Sequence, residues 1–191
     1  MSTERILIHS SIASQFQDLL RETVDKMFGS VNTTPILVNS GSARRNRSLI
    51  EDAKSKGAKS MDLFNEVRRT EVETHMRPVV LTNVDKTMDL YGGESFGPSV
   101  SLYAFETEDE AVALANDTDY GLTASVYSED LKAAFRVADK LDTGAVHINS
   151  MTVHDEFALP HGGVKSSGFG RFNGYQGLEE FLYCKSVTWM E

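Results

Sequence analysis

The sequence predicts an α/β fold, an open, mostly parallel twisted sheet with helices on both faces. Short apolar, β-branched runs alternate along the chain with amphipathic stretches of helical period. This alternation is typical of strand–helix–strand units, whose strands pair in parallel. The 191 residues are 40% hydrophobic and 25% charged, which is enough apolar material for a domain with a real core.

The first half of the chain opens with a predicted strand at Arg5–His9 and a helix that Ser10 or Ser11 caps. This helix is expected to end at Gly29. Its apolar stripe comprises Ile12, Phe16, Leu19, Leu20, Val24 and Met27. The further predicted elements are a strand at residues 36–39, a basic helix at about residues 44–56, and strands at residues 59–64, 78–84 and 99–105.

In the second half, Thr107 and Glu110 form a predicted capping box for a helix that runs to about Asn116. A strand at residues 123–127 precedes a helix that Ser128 caps and Gly144 stops. The apolar face of that helix is Leu131, Phe135, Ala138 and Leu141. The remaining segments are a strand at residues 145–148, a glycine-rich loop at residues 149–174 and a strand at residues 181–189.

The final predicted strand follows a long loop and leaves two interpretations open. A lone terminal strand exposes unpaired backbone groups and is therefore a surface for pairing with another chain. Alternatively, it is an ordinary edge strand of its own domain.

Charge and composition exclude several classes of partner. The net charge of −9 argues against binding to nucleic acid or to an anionic membrane, since both need a basic face. Cys184 is the single cysteine, so an intrachain disulfide and a cysteine metal cage are impossible. No apolar run has the length of a membrane span, and no basic region leads into an apolar stretch near Met1. We therefore expect a cytoplasmic protein.

Four motifs occur in the order in which the aldehyde dehydrogenase family has them, and together they cover nearly the whole chain. They are MSTERILIH at residues 1–9, ESFGP at 94–98, YGLTA with TGAVHIN at 120–149, and PHGGVKSSGFGR at 160–171. The chain thus resembles the family's catalytic domain. The run MTVHDE at residues 151–156 is similar to the salicylaldehyde and vanillin dehydrogenase branch, which acts on aromatic aldehydes.

The resemblance implies an oxidoreductase that converts aromatic aldehydes to carboxylic acids with NAD or NADP as the acceptor. Glu94 would bind the hydroxyls of the nicotinamide ribose, and Phe96 would pack beside that ribose. A solvated turn carboxylate is the alternative interpretation of Glu94. No G-x-G-x-x-G follows a predicted strand, so the chain shows no dinucleotide-binding fingerprint of its own.

The resemblance also places the aldehyde pocket. His161 stands where the family mostly has phenylalanine, and the loop that contains Asp155 would line the same pocket. We hypothesise that His161 meets a phenolic hydroxyl of the substrate. A metal site is the alternative interpretation of the group His147, His154, Asp155, Glu156 and His161, but these residues lack zinc spacing, and we expect no metal.

Met1 follows the position of the family's nucleophilic cysteine. The resemblance therefore implies a partial catalytic domain at residues 1–174 and, at residues 175–191, a strand tail resembling the segment through which these enzymes oligomerise. The nucleophile, the general-base glutamate and the Rossmann domain would lie outside the chain. Cys184 is interpreted as a small packing residue, so no catalytic residue is assigned, and the isolated chain is expected to bind no cofactor and to be inactive.

Three interpretations of such a chain follow. It is a fragment of an aromatic aldehyde dehydrogenase, which we favour. It is a non-catalytic, regulatory partner that forms an oligomer with a full-length relative through the final strand. Or it is half of a split enzyme that a separate chain completes.

Overall fold

The computed structural model describes residues 3–64 and 72–191. The chain packs as two compact units, Met1–Ala115 (unit 1) and Asn116–Glu191 (unit 2). Both contain parallel strands and helices, which confirms the predicted α/β class. The described strands are divided among three small sheets, and the largest is the four-stranded, mostly parallel sheet of unit 1. The domain division at residue 174 stays a prediction.

Unit 1 is built on a four-stranded sheet in the order β1-β4-β3-β2. Its strands are β1 (Arg5–His9), β2 (Lys59–Ser60), β3 (Val79–Thr82) and β4 (Ser99–Phe105). Strand β4 pairs in parallel with β1 and β3, and β2 runs antiparallel at the edge. The helices are α1 (Ser10–Phe28), α2 (Ser40–Ser55), α3 (Asp89–Gly92) and α4 (Glu108–Asn116).

The core of unit 1 lies on both faces of this sheet. Val80 and Leu81 are adjacent in β3 and belong to different apolar clusters, because successive side chains of a strand point to opposite faces. Val80 packs in the cluster that contains Val24 of α1. Leu81 packs in the cluster that contains Ile50 of α2. Helices on both faces of the sheet, as predicted, therefore bury the two sides of β3.

Several boundaries in unit 1 differ from the prediction. Residues 36–39 are not a strand: Ile36 makes one isolated bridge to His75, and the side chain of Val38 is exposed. Residues 61–64 likewise lie outside β2. The cap of α1 is His9, whose Nδ1 accepts from the Ser11 backbone N–H at 3.2 Å, so the prediction of Ser10 or Ser11 is wrong. Gly29 is confirmed as the end of α1.

The predicted start of α4 is confirmed in part. The hydroxyl of Thr107 accepts from the Glu110 backbone N–H at 3.2 Å, as a capping box requires. The carboxylate of Glu110 accepts instead from the backbone N–H of Glu106 at 2.9 Å, one residue before the cap.

Unit 2 contains β5 (Tyr120–Gly121), β6 (Thr123–Val126), β7 (Ala145–Ile148) and β8 (Val164–Lys165), with helices α5 (Leu131–Lys140) and α6 (Gly174–Glu179). Strands β6 and β7 pair in parallel, and β5 and β8 are antiparallel. Asp130, not Ser128, caps α5, because its Oδ1 accepts from the backbone N–H groups of Lys132 and Ala133. The helix ends at Lys140, before the predicted Gly144.

The final segment, residues 181–189, forms no strand with the described residues. Its side chains are exposed, and Phe181 and Trp189 are 85% and 82% accessible. The edge-strand interpretation within this chain is therefore wrong. Pairing of the segment with another chain stays a prediction. A separate finding is that none of the described helices is long and apolar enough to cross a membrane.

Candidate functional site

The first candidate site is the turn at residues 94–98, which we call the Glu94 turn. It connects α3 to β4 in unit 1. Phe96 has a φ of 50°, a left-handed backbone conformation that is strained for an aromatic residue. Its side chain is 66% exposed, and its backbone N–H donates to Glu4 Oε1 at 3.1 Å. The turn thus presents an aromatic ring outward from a constrained backbone.

Helix α2 holds the backbone of this turn. The guanidinium of Arg45 donates to the carbonyl oxygens of Glu94 at 2.9 Å and Ser95 at 3.1 Å. The side-chain amide of Asn46 donates to the same Ser95 oxygen at 2.8 Å. Both residues lie in the segment that was predicted only as a basic helix. The available signal was Asn46 itself, a polar residue at helical spacing with the buried Ala43 and Ile50.

The side chain of Glu94 takes no part in the contacts that hold the turn. Among the described residues, none donates a hydrogen bond to its carboxylate. Partial burial raises the pKa of Glu94, the nearby Glu4 carboxylate adds to the rise, and Arg45 partly offsets it. A half-buried carboxylate to which no described residue donates can accept hydrogen bonds from the hydroxyl groups of a ligand. A pair of ribose hydroxyls is such a ligand.

His161 forms the second candidate site, in unit 2. Its backbone exchanges two hydrogen bonds of 2.8 Å with Phe172, and the two rings lie 4.9 Å apart. Together they line an open depression of about 330 Å³ whose other walls are largely glycine backbone of the 162–170 loop. Arg171 spans one side and donates to the carbonyl oxygens of Gly163 and Gly170. The depression therefore offers one titratable ring beside an aromatic face.

Asp155 lies outside the lining of that depression. Its carboxylate accepts a 2.7 Å hydrogen bond from the side-chain amide of Asn173, which also donates to the Glu156 carbonyl oxygen. The structure therefore does not bring Asp155 and His161 together as two walls of one pocket. The four predicted residues divide by unit, with Glu94 and Phe96 in unit 1 and Asp155 and His161 in unit 2.

A group of histidines lies next to Asp155. The rings of His147 and His154 are 5.2 Å apart, and His154 Nε2 is 3.1 Å from a carboxylate oxygen of Glu156. Burial lowers the pKa of His147, and the electrostatic influence of His154 and His161 lowers it further. In residues 3–64 and 72–191, no three histidine, cysteine or acidic side chains are arranged to hold a metal ion. Cys184 is exposed, so its interpretation as a packing residue is not supported.

A comparison with protein-family models identifies the family of the chain. The model described as the aldehyde dehydrogenase family matches residues 1–187. This chain belongs to the aldehyde dehydrogenase family. It is 37% identical to a vanillin dehydrogenase of Pseudomonas fluorescens over 98% of its own length and 39% of that protein. It is 34% identical to a salicylaldehyde dehydrogenase of Pseudomonas putida and 35% identical to a chloroplastic betaine aldehyde dehydrogenase of Atriplex hortensis, with similar coverage.

Solved structures of the family share the fold. A salicylaldehyde dehydrogenase of Pseudomonas putida in complex with salicylaldehyde matches with a TM-score of 0.82 and 32% identity, over 93% of this chain and 37% of that one. A betaine aldehyde dehydrogenase of Staphylococcus aureus in complex with NAD+ matches with a TM-score of 0.81 and 35% identity, over 98% of this chain and 40% of that one. The chain thus spans about two fifths of the length of the relatives that it matches.

Proposed function

We propose that this chain is part of an NAD(P)-dependent dehydrogenase that oxidises aromatic aldehydes to carboxylic acids. The observation that carries the proposal is the Glu94 turn, whose backbone α2 holds while no described residue donates a hydrogen bond to the half-buried Glu94 carboxylate. When bound, the nicotinamide supplies the hydride acceptor of the reaction. The proposed role of Glu94 is to accept hydrogen bonds from the ribose hydroxyls, with Phe96 packed beside the sugar.

The aromatic substrate class rests on unit 2. His161 stands against Phe172 in the open depression, where a flat ring fits beside an aromatic face. An imidazole donates or accepts one hydrogen bond at each ring nitrogen, so His161 suits a hydroxyl on the substrate ring. The similarity to vanillin and salicylaldehyde dehydrogenases supports the same class, because both names denote hydroxylated aromatic aldehydes.

The 191 residues by themselves are proposed to be inactive. Aldehyde oxidation in this family needs a thiolate nucleophile, and Cys184 is the one cysteine of the sequence. It is exposed in the final segment and does not line the His161 depression. Loss of a nucleophile lowers the rate by several orders of magnitude. A cytoplasmic location stays part of the same proposal.

The test is a substrate panel with the native protein isolated from its source. Vanillin, salicylaldehyde and benzaldehyde are compared with betaine aldehyde and succinate semialdehyde, each with NAD+ and NADP+. We expect kcat/KM at least about tenfold higher for the aromatic aldehydes, a difference that shape and one hydrogen bond can supply. A preference for the aliphatic aldehydes contradicts the substrate assignment. Turnover by the purified 191-residue chain contradicts the proposed inactivity.

A second candidate function is a non-catalytic subunit that pairs with a full-length relative through residues 175–191. The exposure of Phe181, Leu182 and Trp189 in this segment favours it, since several exposed apolar side chains in one segment are typical of interaction surfaces. Co-purification with a full-length aldehyde dehydrogenase, lost when residues 181–191 are removed, supports this candidate. A native protein that is itself active on the aldehyde panel contradicts it.

A further inference from the structure

We propose that Asn46 is a positioning residue whose buried side-chain amide holds the Glu94 turn, so that the Glu94 carboxylate stays available to the cofactor. The inference rests on the proposed function, because it takes Glu94 as the cofactor contact. Its structural part, the hold of Asn46 on the turn, does not depend on any bound cofactor.

The amide of Asn46 bridges the two ends of the turn. Asn46 is 1% exposed. Its Nδ2 donates to the carbonyl oxygen of Ser95 at 2.8 Å, and its Oδ1 accepts from the hydroxyl of Ser99 at 2.9 Å. A buried amide costs free energy unless its donors and acceptors are paired. Asn46 therefore lies in the buried stripe of α2 because its side chain makes specific hydrogen bonds at the turn, and not merely because it packs in the core.

Gly97 shows how closely the turn fits this amide. A Cβ atom built at Gly97 would overlap with the Nδ2, Cγ and Oδ1 atoms of Asn46. Gly97 does not have a positive φ, so its backbone conformation is open to alanine, and the requirement for glycine here is one of space. The amide cannot easily move aside, because it is buried and bonded at both ends.

The strained backbone of Phe96 is explained by these contacts. A non-glycine residue keeps a positive φ only where the surrounding structure determines its conformation. Phe96 lies between Ser95, whose carbonyl oxygen Asn46 binds, and Gly97, which packs on the same amide. Arg45 adds two hydrogen bonds, but its side chain is exposed. All of these bonds go to the backbone and leave the Glu94 carboxylate unused.

The experiment compares Asn46→Ala with Asn39→Ala in the 191-residue chain by amide-resolved NMR and hydrogen exchange. Asn39 is the control, because it is the N-cap of the same helix and its Oδ1 accepts from the backbone N–H of Ser42, not from the turn. We expect Asn46→Ala to accelerate exchange of the Phe96 and Gly97 amides at least about tenfold, with the β3 and β4 amides changed much less. We expect Asn39→Ala to leave the turn amides unchanged.

A second pair of variants tests the fit from the other side. Gly97→Ala alone should shift the Ser95, Phe96 and Gly97 resonances, because the new methyl group overlaps with the amide. In the Asn46→Ala background the same methyl group has room, so Gly97→Ala should cause little additional shift. Gly97→Ala keeps the buried amide and therefore remains informative if Asn46→Ala does not fold.

The titration of Glu94 supplies a readout that a purely structural role of Asn46 would not move. The carboxyl 13C signal of Glu94 should titrate closer to its ordinary pKa in Asn46→Ala, because a released turn leaves its half-buried position beside Glu4. Unchanged turn amides, or an acceleration spread evenly over unit 1, would overturn the proposal. Equal resonance shifts on introducing Gly97→Ala with Asn46 present and in the Asn46→Ala variant would also overturn it.

The two proposals fail separately. If the turn is released in Asn46→Ala but Glu94→Gln leaves the KM for NAD+ of the native enzyme unchanged, then the cofactor assignment is wrong and the hold of Asn46 on the turn is correct. If Glu94→Gln raises that KM and the turn amides are unaffected by Asn46→Ala, then the cofactor assignment is correct and the role of Asn46 is wrong.

Discussion

Units 1 and 2 are stabilised in different ways. Among the described residues, every buried hydrophobic side chain except Ala134 lies in unit 1. Unit 2 has instead a series of exposed aromatic side chains, and its interior is formed by close approaches of backbone around glycine. A Cβ atom at Gly144, for example, would overlap with the carbonyl oxygen of Gly162. Unit 1 therefore depends on burial of side chains, and unit 2 depends on close contact between loops.

This difference matches the proposed roles of the two units. The Glu94 turn needs a rigid support, and the buried stripe of α2 provides it. The wall of an aldehyde pocket needs exposed aromatic and polar side chains, which the 151–172 loop of unit 2 provides. Large apolar side chains of unit 2 such as Phe157, Phe169 and Trp189 are exposed, so we expect the stability of unit 2 to depend more on what covers it.

The largest expected effect is a core truncation in unit 1. Leu81→Ala should lower the free energy of unfolding of unit 1 by about 2–5 kcal/mol, because the residue is completely buried between β3 and α2. The same change at Leu182, which is 71% exposed in unit 2, should cost less than about 0.5 kcal/mol. Urea unfolding, monitored by amide exchange in β4 for unit 1 and in β7 for unit 2, measures the effects of both substitutions. Equal losses of unfolding free energy from the two substitutions would contradict the proposed difference in how the units are stabilised.

A smaller effect is expected from a methyl group in the backbone contact of unit 2. Gly144→Ala should destabilise unit 2 by about 1–3 kcal/mol, because the methyl group meets the carbonyl of Gly162. Gly92→Ala in α3 is the control, since its Cβ atom meets open space and alanine favours a helix. Amide exchange in β6 and β7 is the measurement. Unchanged amide exchange in Gly144→Ala would show that this contact does not stabilise unit 2.

The sequence contained most of the regular elements and the motif of the Glu94 turn, but not the contacts that hold it. Strands β1, β3, β4 and β7 were predictable from their short apolar, β-branched runs. Residues 36–39 have the same composition without a pairing partner beyond one bridge, so propensity alone was misleading. The cap at His9 was not predicted, because histidine lies outside the usual capping residues.

For the candidate site, too, local motifs were predictable and contacts between distant residues were not. Glu94 and His161 were predictable from motifs along the chain, whereas the contact of Asn46 with Ser95 joins residues 49 positions apart. Such a contact exists only once α2 lies against the turn. A polar residue on an otherwise apolar helical stripe is the signal that marks such a contact in advance.

The smallest expected effect is a pH dependence confined to unit 2. Burial, together with the electrostatic influence of His154 and His161, lowers the pKa of His147, so the folded state disfavours its protonated form. The stability that neutral His147 contributes is complete above the ordinary pKa of about 6.5 and is lost as the pH falls through the lowered pKa. We expect this loss to be smaller than the effect of either substitution above.

Amide exchange of β7 and β4 between about pH 7 and pH 5, corrected for the intrinsic rate, measures this loss. We expect exchange in β7 to accelerate more than in β4, and His147→Gln to abolish the difference. An equal response of the two strands, or a difference that persists in His147→Gln, would contradict the assignment to His147.

The measurement that tests the account most directly is the steady-state kinetics of the native enzyme with Glu94→Gln and His161→Phe. We predict that Glu94→Gln raises the KM for NAD+ about tenfold or more and leaves discrimination among aldehydes unchanged, because charged hydrogen bonds to the ribose are weakened. His161→Phe should leave the KM for NAD+ unchanged and reduce the preference for salicylaldehyde over benzaldehyde about twofold to tenfold. Unchanged parameters in both variants, or the two effects exchanged, would contradict the division of cofactor and substrate contacts between units 1 and 2.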